Sequence, residues 1–83
     1  MKRIIEENNL DEVIDLVFNA VEGKKFTTTN ALMKVLKDVG FKVSDYVNGE
    51  YVVIKYKGGS YIVFTTSKPI EVISVEHDVD VVY

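Results

Sequence analysis

The only histidine of this 83-residue chain is His77, set in Glu76-His77-Asp78-Val79-Asp80. An imidazole flanked by carboxylates has the donor chemistry of a divalent-metal site. In an extended segment, however, neighbouring side chains point to opposite faces, so only alternate members of this run can converge. No second histidine and no cysteine stands elsewhere to complete a ligand set. A solvated acidic turn is therefore the expected role. Ser44, Ser60, Ser67 and Ser74 have no histidine placed to act as a general base. No Walker loop, dinucleotide fingerprint or catalytic carboxylate pair at a recognisable spacing occurs. The expectation is a non-enzymatic chain with no catalytic residue, no metal ligand and no cofactor.

A second constellation is basic and aromatic. Lys55, Tyr56, Lys57 and Tyr61 straddle Gly58-Gly59, and lysines interleaved with tyrosines suit the backbone and base contacts of a nucleic acid. The stretch Lys57-Gly58-Gly59-Ser60-Tyr61-Ile62-Val63-Phe64 resembles the RNP1 signature of RNA-recognition motifs at Lys57, Gly58, Tyr61, Ile62, Val63 and Phe64. That resemblance implies RNA held on strand aromatics. It departs at Gly59, where that family carries a base-stacking aromatic, and in element order, which here is not βαββαβ. From Thr28 to about Phe64 the order of a helix, Gly40-Phe41, a strand and a hairpin is similar to the HicA-type toxins. Those rely on a histidine in the early strands; none lies between Met1 and Glu76, so their ribonuclease activity does not carry over. A winged helix needs a third helix for the major groove, and residues 40–48 leave no room for one. Net acidity and a single arginine, Arg3, also weigh against a polyanionic partner. Nucleic-acid binding through Lys55, Lys57, Tyr56 and Tyr61 is thus the alternative reading, not the favoured one.

Two helices and a meander must position these groups. Asn9 followed by Glu12 has capping-box spacing, and Leu10, Val13, Ile14, Val17, Phe18 and Val21 then form one apolar stripe that Gly23 ends. The spacing predicts a helix over about 9–22; Lys2–Glu6 reads as a short edge strand or a helical turn. One of Thr27-Thr28-Thr29 caps a second helix over 28–39, with Leu32, Val35, Leu36 and Val39 on one side and Gly40-Phe41 as its stop. The link between them is short enough for a helical hairpin. Strands are predicted over 41–47, 50–57, 60–67 and 70–76, with a possible fifth over Val79–Tyr83. The short connections require antiparallel pairing.

Two-residue turns at Asn48-Gly49 and Gly58-Gly59 would fix the register. They would pair Tyr46 with Tyr51, Val43 with Ile54, Tyr56 with Tyr61, Ile54 with Val63 and Val53 with Phe64. One face would then collect Phe41, Val43, Val52, Ile54, Tyr56, Tyr61, Val63 and Val72. The other would collect Tyr46, Tyr51, Val53, Ile62, Phe64, Ile73 and Val75, with Lys42 and Lys55 at its margin. Two short helices can cover only one of these faces. The second would be left as a contiguous apolar surface, unusual on a monomer.

Composition agrees with a small single unit. Eighty-three residues make one α+β domain, 1–83, with a thin core and no disulfide to reinforce it. No signal-peptide stretch or membrane-length apolar run is visible, so a soluble cytoplasmic protein is expected. Gln, Cys and Trp are absent while Val, Ile, Lys and Glu abound, a balance resembling that of high-temperature organisms, although Asn8-Asn9 and Asn48-Gly49 run against it. The net charge of −3 is blocked: acidic before residue 24, basic over 24–68 with eight lysines, acidic again to the end. Such blocks suit complementarity between copies as well as within one. The fold expected is an N-terminal helical hairpin on one face of a four- or five-stranded antiparallel meander. The function expected is an interaction module, a homodimer or a binder of a protein partner, using Tyr51, Val53, Ile62, Phe64, Ile73 and Val75.

Overall fold

The computed structural model describes residues 4–78, with side chains from residue 10 onward. The fifth strand expected at Val79–Tyr83 lies outside the described residues. Within them the chain is α+β: helices α1 (Ile4–Val21) and α2 (Thr29–Val39) precede strands β1 (Lys42–Val47), β2 (Tyr51–Tyr56), β3 (Gly59–Thr65) and β4 (Val72–His77). The strands form one antiparallel sheet in the order β1-β2-β3-β4. The helices pack against it, α1 on β3 and β4, α2 on β1, and against each other.

Helix α1 begins at Ile4 rather than at Asn9. Nothing between them breaks a helix, and extending an existing helix gains a hydrogen bond for each residue fixed. Asn in a helix interior costs only tenths of a kcal/mol, about 0.7 at most relative to Ala, so a cap-like spacing does not force a start. Val13, Val17 and Val21 of its stripe are buried, while Phe18 lies at the stripe's edge. Helix α2 follows its expected limits. Thr28 sits in extended conformation and its hydroxyl accepts from the Ala31 N–H at 3.2 Å. At the other end Gly40 takes φ 119°, and the N–H groups of Gly40 and Phe41 donate to the carbonyls of Lys37 and Leu36 at 3.0 and 3.2 Å. That pair of bonds is a Schellman motif, and it folds Phe41 into the core.

The hairpins differ from the expected register in instructive ways. Gly49 has positive φ but Asn48 does not, so the first turn closes as a three-residue loop that pairs Val47 with Tyr51. Asn48 instead accepts a hydrogen bond from the Thr29 hydroxyl, tying the turn to the start of α2. A bulge between Val43 and Asp45 absorbs the change, so Val43 still pairs with Ile54 as expected. Tyr46, however, pairs with Val52 rather than Tyr51 and moves to the helix side of the sheet.

In the second hairpin the central residues are Lys57 (φ 49°) and Gly58 (φ 80°), not Gly58-Gly59. Tyr56 pairs with Gly59, Ile54 with Tyr61, Val53 with Ile62 and Tyr51 with Phe64. Gly59 is needed inside the strand. A Cβ there would lie 2.7 Å from the Tyr61 hydroxyl oxygen and 3.1 Å from two ring carbons, and Tyr61 is fully buried. The partners slide by two residues, so the alternation of faces along β2 and β3 survives.

A second bulge leaves Ile73 without a partner while Val72 pairs with Thr65 and Ser74 with Phe64. This corrects the placement of Val75. One extra residue shifts its face, so Val75 pairs with Val63 in the core and is only 6 % exposed. The β3–β4 loop contains a cis Lys68-Pro69 peptide, and the Thr66 hydroxyl spans it, donating to the Pro69 carbonyl and accepting from the Glu71 N–H. Phe26 and Ile70 exchange backbone hydrogen bonds of 3.0 and 2.9 Å and are both buried, so the link between the helices is stitched to this loop.

Candidate interaction surface

The core is one-sided. Leu32, Leu36, Phe41, Val52, Ile54, Tyr61, Val63 and Val75 are buried together with the valines of α1. Their alternates on the strands point the other way. Following the observed pairing, Val47, Tyr51, Phe64 and Ser74 form one row across that second face; Asp45, Val53, Ile62 and Glu76 form the next. Lys42, Lys55 and Ser60 form the third, continued by Asp78, whose N–H donates to the Ser60 carbonyl at 2.8 Å and whose carboxylate accepts from the Ser60 hydroxyl at 3.2 Å.

Tyr51, Val53, Ile62 and Phe64 are partly buried by one another, yet none belongs to the set of side chains packed on the core. The Tyr51 and Phe64 rings meet edge to face with centroids 6.4 Å apart. Val47 is 37 % exposed and Ile73, at its bulge, 58 %. Among the described residues, then, the apolar centre of this face has no helix over it. Five of the six residues expected at an interface, Tyr51, Val53, Ile62, Phe64 and Ile73, lie outside the core, and Val75 lies within it.

Charge is distributed unevenly around the apolar centre. Lys42 and Lys55 are direct cross-strand partners and both are exposed, an arrangement in which like charges repel. The acidic groups of the same face are Asp45 on β1 and Glu76 and Asp78, at and just beyond the end of β4.

The fold splits the basic aromatic constellation: Lys55, Tyr56 and Lys57 border one cleft, while Tyr61 is withdrawn into the core. Tyr61 is fully buried, with its ring 5.1 Å from that of His77, so it cannot stack a base. Tyr56 shares the helix side, edge-on to Phe41 at 5.2 Å. Its hydroxyl donates to Glu12 of α1 at 2.7 Å, and the Lys57 ammonium reaches the same carboxylate at 3.3 Å. Those donors hold the Glu12 carboxyl below its ordinary value of 4.5, the Tyr56 hydrogen bond first and Lys57 after it, with partial desolvation opposing. The same contact raises the Tyr56 phenol and the Lys57 ammonium above 10.0 and 10.5. Lys55 alone projects from the opposite face. A shallow cleft of about 650 Å³ does run past Lys42, Lys55, Tyr56, Lys57 and Ser60, but the Tyr56 ring is half-buried against Phe41 and its hydroxyl is engaged by Glu12.

Tyr46, 46 % exposed, borders a smaller polar cleft with Thr28, Thr29, Asn30 and Asn48. No sequence signal marked it, because its position depends on the bulge at Ser44. Among the described residues no group of three or more His, Cys, Asp and Glu side chains is arranged to hold a metal ion. Nor is any described helix long and apolar enough to cross a membrane. Comparison with protein families, with characterised proteins and with solved structures finds no match to this chain.

Proposed function

We propose that this chain is a small non-enzymatic interaction module that docks through its open sheet face, and that the occupant of that face is a second copy of itself. The observation supporting this reading is the apolar centre formed by Val47, Tyr51, Val53, Ile62 and Phe64, side chains that the helices do not cover. Apolar surface of this kind on a soluble chain is stabilised by removal from water, at roughly 25 cal/mol per Å². A single patch that pairs with itself closes by two-fold symmetry and leaves no further surface to propagate. The mixture of basic and acidic groups around the patch also favours a partner bearing both signs over a polyanion.

Sedimentation velocity on wild type and on Phe64→Lys tests the proposal. Wild type should show a concentration-dependent dimer that Phe64→Lys abolishes while keeping a cooperative thermal transition. A wild type that stays monomeric at high concentration overturns self-association. Salt-sensitive binding of single-stranded RNA or DNA that is lost in Lys55→Glu would instead transfer the function to the nucleic-acid alternative.

A further inference from the structure

If two copies pair through the open face, the arrangement of side chains on it selects between the two ways a two-fold axis can bring it against itself with the strands aligned. We infer that the axis runs parallel to the strands, so that β1 of one copy lies over β4 of the other and each row meets its own row. This inference rests on the self-association reading and specifies its geometry.

With the axis along the strands, Tyr51 meets the other copy's Phe64 and Val53 meets its Ile62, so these four side chains face apolar partners, while Val47 meets Ser74 at the edge. In the third row Lys42 comes to face Asp78, twice by symmetry, and Lys55 faces Ser60. The repulsion between Lys42 and Lys55 within one copy is thereby offset by the acidic end of the other. With the axis across the strands, the third row would cover the first instead. Lys55 would then sit on Tyr51 and Lys42 on Val47, placing ammonium groups on the apolar centre with no counter-charge. The charge layout disfavours that packing strongly, and both alternatives keep the strand directions aligned, one of the two common arrangements of face-packed sheets.

The strand-parallel axis has one cost, and it is diagnostic. Asp45 and Glu76, at opposite ends of the middle row, come to face each other at the rim. Replacing Asp45 by Lys turns two like-charged contacts into two attractive ones. With the axis across the strands Asp45 would meet Asp45, and the same substitution would leave a like-charged pair.

The experiment uses the absence of cysteine in the chain. Asp45→Cys and Glu76→Cys are prepared separately and treated with a short bis-maleimide, alone and mixed. Residues on outer strands are three strand spacings, about 14 Å, apart in the plane of the sheet, so the reagent distinguishes facing from non-facing positions. The expected result is a covalent dimer in the mixture and little in either variant alone. In addition, Asp45→Lys should lower the dimer dissociation constant severalfold. Efficient cross-linking of each variant to itself, or an Asp45→Lys dimer no tighter than wild type, overturns the axis while leaving dimerisation standing. A monomeric wild type overturns dimerisation itself, and the axis with it.

Discussion

Glu12, Tyr56 and Lys57 join the first helix to the second hairpin through two charge-assisted contacts, and their titration is a stability statement. The folded-state pKa of Glu12 is depressed, so its contribution is fully present above about 4.5 and is lost as pH falls through the lower folded value. Tyr56 and Lys57 are shifted upward, so their contribution is present below about 10 and is lost as pH rises through the folded values. Thermal melts of wild type and Glu12→Gln at pH 3 to 7 should show a smaller acid-side loss in the variant. Parallel curves would show that the contact contributes nothing measurable, as many exposed pairs do. Gly59 presents a steric case. A Cβ there would press on the fully buried Tyr61 ring, which would have to shift within the core, so Gly59→Ala should destabilise by about 1–3 kcal/mol in chemical denaturation. The sequence pattern marks Gly58-Gly59 as a turn pair, and only the depth of Tyr61 reveals that the second glycine serves packing instead.

Among the elements, the second helix and the strand order are legible directly from residue types. Thr28 and Gly40-Phe41 punctuate α2 through local hydrogen bonds, which short-range chemistry determines. The first helix shows the limit of that reasoning, because Asn9 has the right spacing for a cap but no signal upstream halts the helix. Face assignments along β2 and β3 could be read because a slide of two residues preserves alternation. On β1 and β4 each strand holds a bulge, and the assignments survive only on one side of it: Val43 and Val72 fall on the helix side as expected, whereas Tyr46 and Val75 change faces. The Asn48–Thr29 bond accompanies the first, and the Phe26–Ile70 stitch precedes the second. That stitch is the main attachment of the interhelical link to the β3–β4 loop. Phe26→Ala should therefore cost about 3–5 kcal/mol and open the loop to proteolysis. A loss under 1 kcal/mol would show that the link is held by other means.

On the scale of the whole molecule, a helical hairpin covers one face of a four-stranded meander and, among the described residues, leaves the other with an apolar centre bordered by charges of both signs. The surplus of apolar strand residues was visible in the sequence, and it survives the correction that moves Val75 inward and Tyr46 to the helix side. What pattern could not supply is the order of charges across that face, since it depends on the observed register of all four strands. If the open face pairs with a second copy, association in solution reports it without an intermediary. Sedimentation velocity of wild type across a wide concentration range, beside Phe64→Lys, should show a reversible dimer for the first and a folded monomer for the second. A wild type that sediments as a monomer throughout would contradict it.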